Sequence, residues 1–415
     1  MLQVEQIRSF FPSLSGDWVF MDNAGGSQTA KPVVDRLSDY LLSSNVQHGA
    51  SYAVSQEAGR RVDEATAAMA TYVNAAHPKE IVMGGSTTLL IRILSLTLGQ
   101  TFEPGDEIIV TNTDHEANVS PWTDLKAKGL KVHVWRVRPD TLELDLDDLA
   151  ELMNDKTRLV AVSHTSNVLG TLQPIKEIAA FVHARGALIC VDGVAHAPHR
   201  LVDVQDLDVD FYIFSFYKVY GTHFALMYGK QEHWSRLPGI NHYFINGENF
   251  PYKFQPGNVN FELAYGMLGL IDYLEAAHDL HFPNQGGSQR EKLQRTFDLF
   301  SAYEEQLSQK LITYLRNKSA VRIIGSPDYS QDKRVATVSF VVENTDSESI
   351  VLAVDKHQIG IRFGDFYAKK LIHDLGLEAQ NGVVRVSMVH YNTLEEVDRL
   401  IAVFESEGLL EGNVF

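Results

Sequence analysis

ALICVDGVAHAPHRLVDVQDLDVDFYIFSFYKVYG (187–221) contains two short apolar runs, each ending on residues that can carry chemistry. ALICVDG (187–193) and DFYIFSF (210–216) read as strands. Neither alternates apolar with polar residues, as expected of strands covered on both faces. The first delivers Asp192 at its C-terminal end and the second delivers Ser215 and Lys218. Open parallel sheets hold their sites at that edge. Working outward, EIVMG (80–84), EIIVTN (107–112), KVHVWRV (131–137), RLVAVSH (158–164) and FALMYG (224–229) are further strands. Helical patterns separate them near 60–75, 87–99, 118–129, 146–154, 174–185 and 196–205. Strands alternating with helices imply crossover connections, so this part is an α/β unit with a mostly parallel seven-stranded sheet.

Past residue 230 the pattern changes. A turn-rich stretch (231–262) leads to helical patterns at 263–279 and 289–317. Strands near 320–324, 335–342, 358–363 and 383–388 then intersperse with helices near 346–356, 366–375 and 393–407. This is the pattern of a smaller α+β domain. The segment 280–290, DLHFPNQGGSQ, has the Pro, Asn and Gly content of a loop. The expected organisation is a large domain over 31–280 and a small C-terminal domain over 281–415. Residues 1–30 form an N-terminal segment that joins the small domain.

The 415 residues, 45% hydrophobic, are enough for one large core and a smaller one. Net charge is −17, which argues against nucleic acid or an anionic membrane as the main partner. The opening MLQVEQIRSFFPSLSG lacks a basic stretch followed by a continuous apolar one, so no signal peptide is read there. No apolar run approaches the roughly 18 residues of a membrane span. The single cysteine, Cys190, cannot form an internal disulfide, which fits the cytoplasm.

GGSTTLL (84–90) follows a strand and opens a helix. Free N–H groups, the dipole and the hydroxyls of Thr87 and Thr88 suit a phosphate there, although Ser and Thr are also ordinary helix caps. Asp192 is either a helix cap or an acid that keeps a pyridine nitrogen protonated. Lys218, among aromatics, is either snorkelling or held with a depressed pKa for bonding to a carbonyl. In order, the three supply a phosphate cradle, an acid for a ring nitrogen and a lysine for an aldehyde, the set that pyridoxal 5'-phosphate (PLP) requires.

Around these residues the chain resembles the cysteine desulfurase branch of the class V aminotransferases. The similar segments are VFMDNAGGSQTAKPVVD (19–35), NVQHGASYAVSQEA (45–58), TDHEANVSPW (113–122), SHTSNVLGT (163–171) and RVSMVHYNTLEEVD (385–398). The resemblance implies PLP fold type I and an amino-acid substrate. It also implies a homodimer with shared active sites. Residue by residue it implies that His115 stacks on the PLP ring and that Asn167 contacts the ring hydroxyl or the substrate carboxylate. Thr87, Thr88 and Ser215 would bind the phosphate, Asp192 would face the pyridinium, and Lys218 would carry the cofactor. Arg385 would clamp the substrate carboxylate, with Arg362 and Ala24 as further substrate contacts. No metal site is read.

The departures concern the reaction. Where the family has a nucleophilic cysteine, IRFGDFYAKKL (361–371) has Tyr367, with Asp365 and Phe366 replacing histidines. Cys190 lies in an apolar strand and reads as core filler. Tyr217 replaces a histidine before the lysine, Ala195 replaces a glutamine, and Asn258 replaces a threonine that reaches the partner subunit's phosphate. The expected enzyme is therefore a C–S lyase working by β-elimination without a cysteine nucleophile. Tyr217, Tyr367 or His115 would assist the leaving group. Transamination by a class V aminotransferase and epimerisation are the alternatives.

Overall fold

A computed structural model describes residues 1–245 and 247–412. Among the described residues thirteen strands follow in chain order: β1 (Val19–Phe20), β2 (Ile81–Gly84), β3 (Glu107–Thr111), β4 (Lys131–Trp135), β5 (Thr157–Ser163), β6 (Leu188–Asp192), β7 (Phe211–Ser215), β8 (Ala225–Gly229), β9 (Val321–Ile324), β10 (Thr337–Val342), β11 (Ile359–Gly360), β12 (Arg362–Gly364) and β13 (Val383–Ser387).

Seven of them form one sheet in the order β2-β8-β7-β6-β5-β3-β4. Only β8 is antiparallel to its neighbours, β2 and β7. Every residue of β3, β6 from Ile189 onward, β7 and β8 is buried, which explains why their interiors do not alternate apolar with polar residues. The C-terminal ends of β2, β3, β5, β6 and β7 open onto one edge. Asp192 is level there with Ser163 on β5 and Ile213 on β7. Gly193 makes the turn after β6 possible, since a Cβ there would lie 2.1 Å from the Tyr212 ring.

A second, antiparallel sheet has the order β12-β13-β10-β9. The N-terminal segment is tied to this end of the molecule. Strand β1 pairs parallel with β11, and Asp22 bridges to Ser387 on β13. The 28-residue helix Gln289–Arg316 is capped by a reciprocal Ser288–Glu291 box.

Several helices depart from the sequence expectation. The helix expected at 60–75 starts earlier, at Ala53, and ends at Val73 with Asn74 in the left-handed conformation. The one expected at 118–129 is three short turns, Glu116–Asn118, Ser120–Thr123 and Asp124–Lys128. Of 196–205 only Val204 and Gln205 are helical, in the short helix Val204–Leu207. Helix Lys31–Ser43, opened by Pro32, and Gln231–Arg236 lie outside the expected patterns. The helix expected from 366 begins at Lys369, because Phe366 and Tyr367 have φ of 52° and 60°. No described helix is long and apolar enough to cross a membrane.

Candidate active site

The sheet edge and the loops leaving it line a cavity. Helix Thr87–Leu98 starts there, capped by the Ser86 hydroxyl, which accepts from Leu89 N–H. The Thr87 and Ser215 hydroxyls pair at 2.7 Å and bring the start of that helix to the end of β7. After β3, the chain turns through Asp114 to His115, whose Nδ1 accepts from Ala117 N–H at 3.0 Å. The neutral ring therefore keeps its proton on Nε2. Thr165 and Asn167 follow β5, Asp192 ends β6, and Tyr217 and Lys218 follow β7.

Burial dominates the electrostatics. Lys218 is 9% exposed, and its Nζ donates to the Ala24 carbonyl. Desolvation, with the Arg385 charge adding to it, lowers its pKa to about 8, while Asp192 and Asp22 oppose the shift. Burial raises Asp192 to about 6, moderated by the Val194 N–H it accepts at 2.9 Å and by the Lys218 charge. His115 is lowered to about 4, by burial first and then by Lys218 and Arg385. Asp114 is raised to about 7 by burial, and accepts from Asn118 at 2.7 Å and Ser163 N–H at 3.1 Å.

This donor set fits PLP. Hydroxyls and free N–H groups at a helix start suit its phosphate. A buried carboxylate whose charge burial disfavours gains a partner in a protonated ring nitrogen. An amine already pushed toward neutrality suits its aldehyde. Two polar atoms of the lining, Ser163 Oγ and Asn167 Oδ1, are buried without a protein partner, so the cavity wall has hydrogen-bonding capacity to spare.

Thr87, Thr88, His115, Asn167, Asp192, Ser215, Tyr217 and Lys218 thus share one cavity. Arg385 approaches from β13 and is 2% exposed. Its Nη1 donates to the Asn167 carbonyl at 3.1 Å and its Nη2 to Asp22 Oδ1 at 2.9 Å. Arg362, its cross-strand neighbour on β12, is exposed and lies 3.7 Å from the same carboxylate. Tyr367 is at the rim, 65% exposed, its ring centroid 5.1 Å from that of His115. Asn258 does not line the cavity of its own chain. It is exposed in a turn closed by its N–H on the Gln255 carbonyl.

Asp22 and Asp114 belong to this constellation without a role read from the sequence, and Phe366, read there as replacing a histidine, joins them. Asp22 and Asp114 stand beside motif residues to which the sequence did assign a role. The contact of Phe366 with Arg385 was not legible in the sequence, since it depends on a loop folding back over Arg385, with the guanidinium carbon 3.6 Å from the ring centroid.

Three comparisons bear on this geometry. The family model for aminotransferase class-V matches residues 19–400. The chain is 40% identical to the aminotransferase-like protein FGM3 of Gibberella zeae, over 97% of this chain and 98% of that one. It is 35% identical to the cysteine desulfurase-like protein ustD of Aspergillus flavus, over 96% and 89%. Its structure superposes on the cysteine desulfurase CsdA of Escherichia coli with a TM-score of 0.83, at 26% identity, covering 99% of this chain and all of that one.

Proposed function

The chain belongs to the class V aminotransferase family, whose members are PLP-dependent enzymes, and on that premise we propose that it is a C–S lyase acting on a cysteine-like amino acid by β-elimination. One observation carries the choice. The only thiol in the chain, Cys190, is fully buried in β6 with its pKa raised by burial, whereas the cavity wall offers the phenol of Tyr217. No persulfide can form on this chain at the cavity, but an elimination needs only a base and an acid.

Bound in the cavity, the cofactor stabilises negative charge at the substrate α-carbon. Ser86, Thr87, Thr88 and Ser215 would hold its phosphate, and Asp192 would keep a proton on its ring nitrogen. Arg385 would take the substrate carboxylate on its planar fork. The Lys218 amine, neutral above about pH 8, would remove the α-proton. The bond from Cβ to sulfur then breaks with its electron pair going to sulfur. Tyr217, kept protonated by burial, would give its hydroxyl proton to that sulfur. The organic product is an enamine that hydrolyses to pyruvate and ammonia. Tyr367 and His115 face each other at the mouth and would limit the entry of water.

We extend the reading to a cytoplasmic homodimer with shared sites. The dimer is supported by the exposed Asn258, which does not line the cavity of its own chain, and by the outward Tyr243 and Phe244 on the same stretch, and the cytoplasm by the single cysteine.

The deciding experiment incubates the holoenzyme with a panel of sulfur-containing and other amino acids. Sulfide or thiol, pyruvate with ammonia, and keto acid are scored separately. Thiol or sulfide appearing in equal amount with pyruvate and ammonia is the expected result. A keto acid retaining the substrate side chain would establish transamination instead, and inversion at the α-carbon without other product would establish epimerisation.

A further inference from the structure

The turn that joins β12 to helix Lys369–Asp374 is held in an unusual backbone conformation. Gly364 has φ of 130°, and the next two bulky residues but one, Phe366 and Tyr367, have φ of 52° and 60°. Consecutive aromatic residues in the left-handed region persist only where the surroundings over-determine them. Here the surroundings do so. Asn167 Nδ2 donates to the Phe366 carbonyl at 2.9 Å, and Glu116 N–H donates to the Tyr367 carbonyl at 2.8 Å. Tyr367 N–H donates to Asp365 Oδ1 at 2.8 Å. The Phe366 side chain packs against the cluster containing Val168, Leu169, Ala368 and Leu371, so it ties the Asn167 loop to the C-terminal part of the chain.

The same ring covers one face of Arg385, whose guanidinium carbon lies 3.6 Å from its centroid. Arg385 is 2% exposed, and among the described residues its one hydrogen-bonded carboxylate is Asp22. Its Nε is buried without a partner. A buried guanidinium whose plane is fixed by stacking, and which retains a free in-plane donor, is preorganised for an anion entering from the side.

We propose that Phe366 is a positioning residue, its ring fixing the plane of Arg385 and its carbonyl fixing the Asn167 loop as the receptor for a substrate α-carboxylate. This rests on the reading of Arg385 as the carboxylate clamp. The ring thereby stiffens the clamp without touching the substrate, and the left-handed backbone is what brings ring and carbonyl to the two partners at once.

The test compares two ligands of the holoenzyme, L-alanine and ethylamine, which is alanine without its carboxylate. Apparent Kd values come from the change in visible absorbance of the bound cofactor. The parent enzyme should prefer alanine, and Arg385→Lys should reduce that preference by about tenfold or more, because an ammonium cannot reproduce the fork. Phe366→Leu, which keeps apolar volume but has no π face, should cause a loss of the same order, about fivefold to tenfold, with ethylamine unaffected. Phe366→Tyr should restore the preference. Phe366→Gly, which suits a positive φ but removes the ring and its packing, should lose the preference as well. A full preference in Phe366→Leu and Phe366→Gly, with Arg385→Lys impaired, overturns the proposal and leaves the clamp standing. No preference in the parent enzyme, or none lost in Arg385→Lys, overturns the clamp and the proposal with it.

Discussion

Lys218 and Cys190 are both buried, and burial moves each toward its neutral form. For the amine, neutral is reactive; for the thiol, neutral is inert. The Lys218 pKa near 8, against 10.5 for a free lysine, has a directional consequence. Capture of PLP by the cofactor-free protein requires the unprotonated amine, so its rate should rise with pH through about 8 and level off above. Stopped-flow absorbance checks this, and a rate that rises only near 10.5 would show a solvated lysine. The same shift affects stability. Between about 8 and 10.5 the folded amine is neutral while the unfolded one still binds its proton. Raising the pH through that window therefore favours the folded state as far as this group is concerned.

Strand β6 shows how one element separates structure from chemistry. Ile189 and Val191 face one apolar cluster, while Cys190 faces the other, with Ala161, Phe211 and Ile213. Only the terminal residue, Asp192, reaches the cavity. Cys190→Ala should therefore keep most activity and lower stability by about 1 kcal/mol, as a small core truncation does. Turnover together with a thermal melt would measure both, and loss of turnover in a folded, cofactor-loaded variant would contradict the assignment. The strands were legible because each is an apolar run bounded by turn residues. The helix boundaries were less so. At 366–368 the expected helix gives way to a left-handed turn because Asn167 and Glu116, about 200 and 250 residues away in sequence, hold its carbonyls.

At the scale of the molecule, Asp22 from the N-terminal segment and Arg385 from β13 close over loops of the seven-stranded sheet. We propose divisions near residues 30 and 280, with the first segment joined to the C-terminal part through the β1–β11 pairing and the bridge from Asp22 to Ser387 on β13. The dimer reading predicts a sedimenting species of twice the chain mass. It also predicts that Asn258→Ala weakens cofactor retention although Asn258 is outside its own cavity. A stable monomer that retains the cofactor normally would remove Asn258 from the site. From sequence alone, the periodicity of apolar runs determined an α/β sheet with its reactive residues at the strand ends, because burial on both faces leaves that composition behind. The order of Thr87, Asp192 and Lys218 likewise identified the cofactor, since each group on PLP demands a different partner. Tertiary structure alone decided which polar neighbours face one another: Asp22 on Arg385, Phe366 over its guanidinium, Asn258 away from the cavity. Such contacts depend on side-chain direction and backbone strain, and Asp22 and Arg385 meet across 363 residues; neither cause leaves a local pattern in the chain.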